Sequence, residues 1–279
     1  FIMKKVIVPI DFSEHSEHAL KAAALLAQRN QIEIIALHML DIAVVSLSES
    51  PSDLQAQSVF YLKLAEKKFK TFLKKEYLKD VKVTPIIKHY LSFKEINTIA
   101  EEENADLIIM SSHGASGVKE LFLGSNTEKV VRHSTIPVLI LKEELFDLNF
   151  EDVVYACDFS EKSIPAYKKA LKLMEFFNSE LHLLYVNLPN DKFKSSSQMQ
   201  EMAVNFLTKA GQDISKLKDV TFECEFSVEK GILKFSNLIG ADLIAISTHG
   251  RKGLSHIFEG SVAEDVSNHS MLPVITIKI

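Results

Sequence analysis

The chain has 279 residues, with 32 Lys and Arg against 37 Asp and Glu, a formal net charge of -5, and 47% hydrophobic to 25% charged residues. That balance excludes the low-hydrophobicity, high-charge signature of disorder, and a mildly acidic chain without a Lys/Arg block lacks the footprint of a nucleic-acid or anionic-membrane binder. The length fits one large or two ordinary domains, and the longest apolar runs, such as Leu107 to Met110, fall far short of the roughly 20 residues that cross a bilayer.

Met3-Lys4-Lys5 runs straight into Val6-Ile7-Val8 with no cleavable secretory pattern between them, so a soluble cytoplasmic protein is expected. A first strand is expected at 4–10. Asp11-Phe12-Ser13-Glu14 follows it, with Ser13 suited to cap the first helix, whose inward stripe is Ala19, Ala23 and Leu26. A second strand at 32–39 leads into 41–53, whose Ser and Pro content reads as a loop. Strands at 81–88 and 106–111 come next. Ser112-His113-Gly114 and Gly124-Ser125 then bracket a segment that ends before a last strand at 136–142.

After a charged stretch at 143–152, the same order repeats. A strand at 152–157 precedes Asp158-Phe159-Ser160-Glu161, with Ser160 as the matching cap and Ala170, Met174 and Phe177 as the matching stripe. Further strands are expected at 180–186, 220–226, 242–247 and 272–278. Ala105-Asp106-Leu107-Ile108 recurs as Ala241-Asp242-Leu243-Ile244, Ser112-His113-Gly114 as Thr248-His249-Gly250, Gly124-Ser125 as Gly260-Ser261, and Ile136-Pro137-Val138 as Leu272-Pro273-Val274. The first copy carries about 11 residues more than the second, placed in the loop at 41–53. The copies are set at 1–144 and 150–279.

Short β-branched runs alternating with amphipathic segments argue for βαβ units. Each copy is therefore expected to be an α/β domain, a five-stranded, mostly parallel sheet with helices on both faces. In such sheets ligands collect beyond the carboxyl ends of strands where the winding reverses. Asp11 and Ser112-His113-Gly114 both follow carboxyl ends, and they face one crevice if their strands are neighbours.

Gly114, Gly124, Gly250 and Gly260 permit positive φ and close approach of backbone N–H groups to a ligand. Ser125 and Ser261 begin helices whose free N–H groups attract anions. Ser125-Asn126-Thr127-Glu128 and Ser261-Val262-Ala263-Glu264 also fit a capping box, in which the same serines satisfy the helix's own amides. No Gly-Lys-Ser/Thr run occurs, which excludes a P-loop. Asp11 and Asp158 read equally as acceptors for a ribose hydroxyl or adenine amino group and as turn residues bonding their own backbone. His113 and His249 lack partners in a triad-like order and read as backbone anchors, while His38, His133 and His269 read as packing or surface residues. Cys157 and Cys224 have no metal-ligand spacing, so no disulfide framework and no metal site are expected.

This pattern resembles the universal stress protein family over essentially the whole chain, as a tandem pair. The family's nucleotide signature is Gly, two residues, Gly, nine residues, Gly, Ser or Thr, after a strand opening with an Ala-Asp-Leu-Ile type run. Gly114, Gly124 and Ser125 keep it in the first copy, and Gly250, Gly260 and Ser261 in the second. Its leading position holds Ser111 and Ser247. The resemblance implies a Rossmann-like fold that binds ATP or AMP, with or without Mg2+. By the same resemblance Asp11 and Asp158 contact the nucleoside, Met39 and Val186 present backbone to adenine, and Asn126 and Val262 flank the phosphate serines. Pro9 matches a Val-Pro-Ile-Asp opening that has Ala156 in the second copy. The resemblance further implies pairing through the strands at 136–142 and 272–277 as an internal pseudo-twofold pair, and a further homodimer is open.

Three readings of function stand: a stress-response regulator holding an adenine nucleotide, a slow ATPase or nucleotidyl-transfer enzyme assisted by His113 or His249, and a nucleotide-free scaffold. No dedicated base, arginine finger or Mg2+-binding carboxylate pair for fast phosphoryl transfer is legible.

Overall fold

The computed structural model describes residues 1–41, 51–90, 94–112, 125–248 and 260–279. They separate into two compact units whose boundary in sequence falls between Leu148 and Asn149. The N-terminal unit runs β1 (Lys5–Pro9), α1 (Glu14–Asn30), β2 (Glu33–Asp41), α2 (Pro51–Phe72), β3 (Val83–Tyr90), α3 (Lys94–Glu102), β4 (Leu107–Ser111), α4 (Ser125–His133) and β5 (Val138–Leu141). The C-terminal unit repeats this as β6 (Asp152–Ala156), α5 (Ile164–Phe177), β7 (Glu180–Asn187), α6 (Ser196–Ala210), β8 (Val220–Cys224), α7 (Val228–Ile239), β9 (Leu243–Thr248), α8 (Gly260–His269) and β10 (Val274–Lys278).

The strand order is β3-β2-β1-β4-β5 in one unit and β8-β7-β6-β9-β10 in the other. Every pairing within each unit is parallel. Parallel strands covered on both faces read as near-continuous apolar runs, and β4 and β9 are buried at every residue, including the polar Ser111, Ser247 and Thr248 at their ends. All the expected strands form. In the C-terminal unit, Val154, Leu184, Val186, Ile244 and Ile246 turn one sheet face toward Ile232 and Phe235 of α7 and Val266 of α8. Tyr155 and Tyr185 belong to the opposite face, where Tyr155 meets Tyr167 of α5.

Local chemistry explains the helix ends. The Ser16 N–H donates to Ser13 Oγ at 3.2 Å, so Ser13 caps α1 as expected. The helix closes with Gln31 in the left-handed region at φ 54°. α6 opens with a full capping box between Ser195 and Gln198 and stops at Gly211, φ 77°.

Two expectations change. Ser160 does not cap the first helix of the second copy. Its side chain makes no capping bond, a single 3-10 turn spans Glu161–Ser163, and α5 starts at Ile164 with Pro165 in its first turn. Proline lacks the N–H that a cap would satisfy and arrives with helical φ, so it sets the start instead. The extra residues of the first copy do not all lie in a loop at 41–53 either. Asp41 ends β2, and Pro51 to Asp53 open α2, which is seven residues longer than α6; residues 42–50 lie outside the described residues. Pro51 at the helix start is compatible with helix for the same reason as Pro165.

Among the described residues no helix is long and apolar enough to cross a membrane.

Candidate functional site

β1 lies between β2 and β4, and β6 between β7 and β9. The chain winds outward from each central strand in one direction and then in the other, so a crevice opens beyond the carboxyl ends of β1 and β4, and of β6 and β9. Asp11 and Ser112 therefore flank one crevice, Asp158 and Thr248 the other.

The turn after each central strand is built in the same way. Asp11 Oδ1 accepts the Ser13 N–H at 2.9 Å and the Ser13 hydroxyl at 2.5 Å. Asp158 Oδ1 accepts the Ser160 N–H at 2.9 Å and the Ser163 hydroxyl at 2.6 Å. These bonds hold the intervening phenylalanine at positive φ, 66° for Phe12 and 54° for Phe159. A non-glycine residue there costs on the order of 1–3 kcal/mol, and ring contacts worth roughly 0.5–1.5 kcal/mol each offset it. Phe12 meets His38, Phe69 and Phe72, and Phe159 meets Tyr185, Phe206 and Phe222. The two readings of the aspartates are compatible. In Asp158 the turn uses Oδ1, and among the described residues Oδ2 accepts no hydrogen bond.

Asp158 lines a cavity of about 190 Å3 with Cys157, Tyr185, Val186, Leu188, Asp191, Lys192, Lys194 and Val228. Asn187, only 2% exposed, clamps the loop over it: its Nδ2 donates to the Lys194 carbonyl and its Oδ1 accepts the Lys194 N–H, both at 3.0 Å. Lys192 and Lys194 of that loop both line the cavity with Asp158. Burial pushes the Cys157 thiol well up, so it stays protonated and unreactive. Burial, then the Asp158 charge, raises Tyr185. In the N-terminal unit, burial pushes His38 below the usual imidazole range although its Nδ1–H donates to the Ile10 carbonyl at 2.7 Å. His38 is packed against Phe12 and Phe69, as a packing histidine should be.

Val186 owes its position to Gly231 of α7. A Cβ at residue 231 would lie 2.7 Å from both Val186 methyl carbons, and a β-branched side chain cannot swing away. Gly231→Ala adds helix propensity of at most about 1 kcal/mol against overpacking of roughly 1–3 kcal/mol. The expected result is a lower melting temperature in a thermal scan, with the floor of the cavity displaced.

The remaining sequence-derived residues divide cleanly. Pro9 ends β1, Met39 lies on β2, Ser111 ends β4 and Ser247 lies on β9. The Thr127 hydroxyl of α4 donates to the Ser111 carbonyl at 3.0 Å and ties that helix to the strand end. α4 begins at Ser125, with Asn126 next, and α8 begins at Gly260, with Ser261 and Val262 in its first turn. Gly124 and Glu259, which precede these two helices, lie outside the described residues; Glu128 Oε1 accepts from Arg132 at 2.9 Å. First-turn N–H groups have no intrahelical partner. His113, Gly114, Gly124, His249 and Gly250 lie outside the described residues. Sequence reasoning missed Cys157, Tyr185, Asn187, Lys192 and Lys194; the phenylalanine after each aspartate and the paired lysines were the available signals.

A doubly wound α/β sheet with its crevice at the switch point, carried twice in one chain, is the class this fold and site define. A family model described as the universal stress protein family matches residues 3–142 and again 149–278. Universal stress protein MJ0577 of Methanocaldococcus jannaschii is 36% identical over 156 residues, covering 50% of this chain and 96% of that protein. Universal stress protein YxiE of Bacillus subtilis is 34% identical over 148 residues, covering 50% and 100%. A crystal structure of a universal stress protein from Archaeoglobus fulgidus shares the fold, with TM-score 0.68 and 24% identity over 100% of this chain and 99% of that one. The chain belongs to the universal stress protein family, and carries its domain in tandem.

Proposed function

We propose that the chain is a cytoplasmic stress-response regulator that holds an adenine nucleotide, ATP or AMP, in one or both units. The observation that carries this reading is the C-terminal cavity, which Asp158, Val186, Lys192 and Lys194 line together beyond the central strands. Asp158 Oδ2 is the acceptor for a ribose hydroxyl. The backbone of Val186 meets the base edge, and the lysines and the first turn of α8 supply positive potential for phosphates. Asp11, Met39 and the first turn of α4 take the same parts in the N-terminal unit. The chain's residues bind and orient; Cys157, buried and protonated, offers no nucleophile.

Ser125→Asp and Ser261→Asp test the phosphate half of this reading. Aspartate is favoured in a first helical turn, so stability should hold. Its charge a few ångströms from a phosphate repels by about 1–4 kcal/mol for effective dielectrics between water and a protein surface. Calorimetric titration with ATP and AMP should show affinity lower by about tenfold or more, with thermal melting unchanged. Equal affinity in a folded double variant contradicts phosphate binding at these helix starts.

A further inference from the structure

At the opposite, amino ends of β6 and β7, the C-terminal unit gathers three side chains that the nucleotide reading does not use. Asp152 and Glu180 are register partners on neighbouring strands, and His182, two residues along β7, shares the Glu180 face. The ligand atoms of all three lie within 4.8 Å of one another, and His182 Nε2 is 2.6 Å from Asp152 Oδ1. Like charges placed opposite each other on adjacent strands repel. Asp242 brings a third carboxylate to the same edge, accepting the Glu151 and Asp152 N–H groups at 2.9 and 3.0 Å. Among the described residues no Lys or Arg pairs with Asp152, Glu180 or Asp242, and the Glu180 carboxylate accepts no hydrogen bond.

The first copy resolves the same place differently. Lys5, Glu33 and Ile35 occupy the equivalent register. There Glu33 is satisfied by Thr84 at 2.7 Å and Lys82 at 3.0 Å. The second copy has exchanged a lysine for an aspartate and an isoleucine for a histidine. It thereby places one imidazole and two carboxylates together, with no Lys or Arg among the described residues paired to either carboxylate.

We propose that Asp152, Glu180 and His182 form a binding site for one divalent transition metal of the zinc type, separate from the nucleotide crevice. One imidazole nitrogen with carboxylate oxygens is a donor set suited to such ions. Bonds of about 2.1 Å to three ligands put those ligands roughly 3–3.5 Å apart. That spacing is reached by opening the His182–Asp152 contact slightly and closing on Glu180, which is exposed and unencumbered. The metal takes the place of the proton that His182 now shares with Asp152, and water completes the shell on the solvent side.

The test is equilibrium dialysis of the full chain, stripped with chelator, against Zn2+ alone, with metal counted by elemental analysis. The expected result is one tight Zn2+ per chain, lost in His182→Gln and weakened at least tenfold in Glu180→Gln, with ATP affinity unchanged in both. NMR of the wild-type chain should show the His182 imidazole shifting on Zn2+ addition, a readout that needs no variant to fold. Absence of tight uptake by wild type, equal uptake by wild type and the folded variants, or a His182 signal indifferent to Zn2+ each overturns the proposal.

Discussion

Phe206→Ala is expected to destabilise the C-terminal unit by about 3–5 kcal/mol, the usual cost of emptying a buried aromatic site. Phe206 is 2% exposed on α6, with its ring centroid 5.3 Å from Phe159 and 5.2 Å from Tyr167. Its removal opens a cavity and also takes one of the three ring contacts that hold Phe159 at positive φ. Asp158 precedes Phe159, so loosened packing reaches the site through one peptide bond. Urea unfolding followed through the C-terminal unit should show the loss, and nucleotide affinity should fall with it. Phe193→Ala is the control: Phe193 is 61% exposed, and a surface change of that kind stays within about 0.5 kcal/mol. Similar midpoints for the two variants would mean that the aromatic cluster does not support the turn.

Asp158→Asn separates the two duties of the aspartate. Asparagine keeps an oxygen to accept the Ser160 N–H and forms the same kind of turn, so the melting temperature should barely move. The other oxygen becomes an NH2 that donates and cannot accept from a ribose hydroxyl. A hydrogen bond to a charged group contributes about 1.5–3 kcal/mol, so nucleotide affinity should drop by roughly 10- to 100-fold. Asp11→Asn should act alike in the N-terminal unit. A folded double variant with wild-type affinity would reduce both aspartates to turn residues.

The architecture was legible because its signals are local and duplicated. The segments Leu107–Met110 and Leu243–Ile246 announce their strands as continuous apolar runs, and a motif met twice in the same order identifies the fold better than any propensity. What was not legible depends on partners distant in sequence. Ser160 looks like Ser13 until its hydroxyl meets that of Ser163 and Pro165 sets the helix start. The extra length of the first copy was read as loop from Pro51 and its serine neighbours, yet Pro51 opens a helix. Asn187 reveals its role only when its amide meets the Lys194 backbone. The Asp152, Glu180 and His182 group exists only through the register of β6 with β7. Cysteine spacing could not have shown it.

The central claim is that the crevices beyond β1 and β6 hold an adenine nucleotide. It is tested most directly by denaturing freshly purified full-length chain and identifying what is released, with ATP and AMP titrated back into protein from which it has been removed. ATP or AMP released in amounts comparable to the chain, and rebound by wild type but weakly by the Asp11→Asn, Asp158→Asn double variant, is the predicted result. No nucleotide released, and no uptake of either by folded wild-type protein, would contradict it.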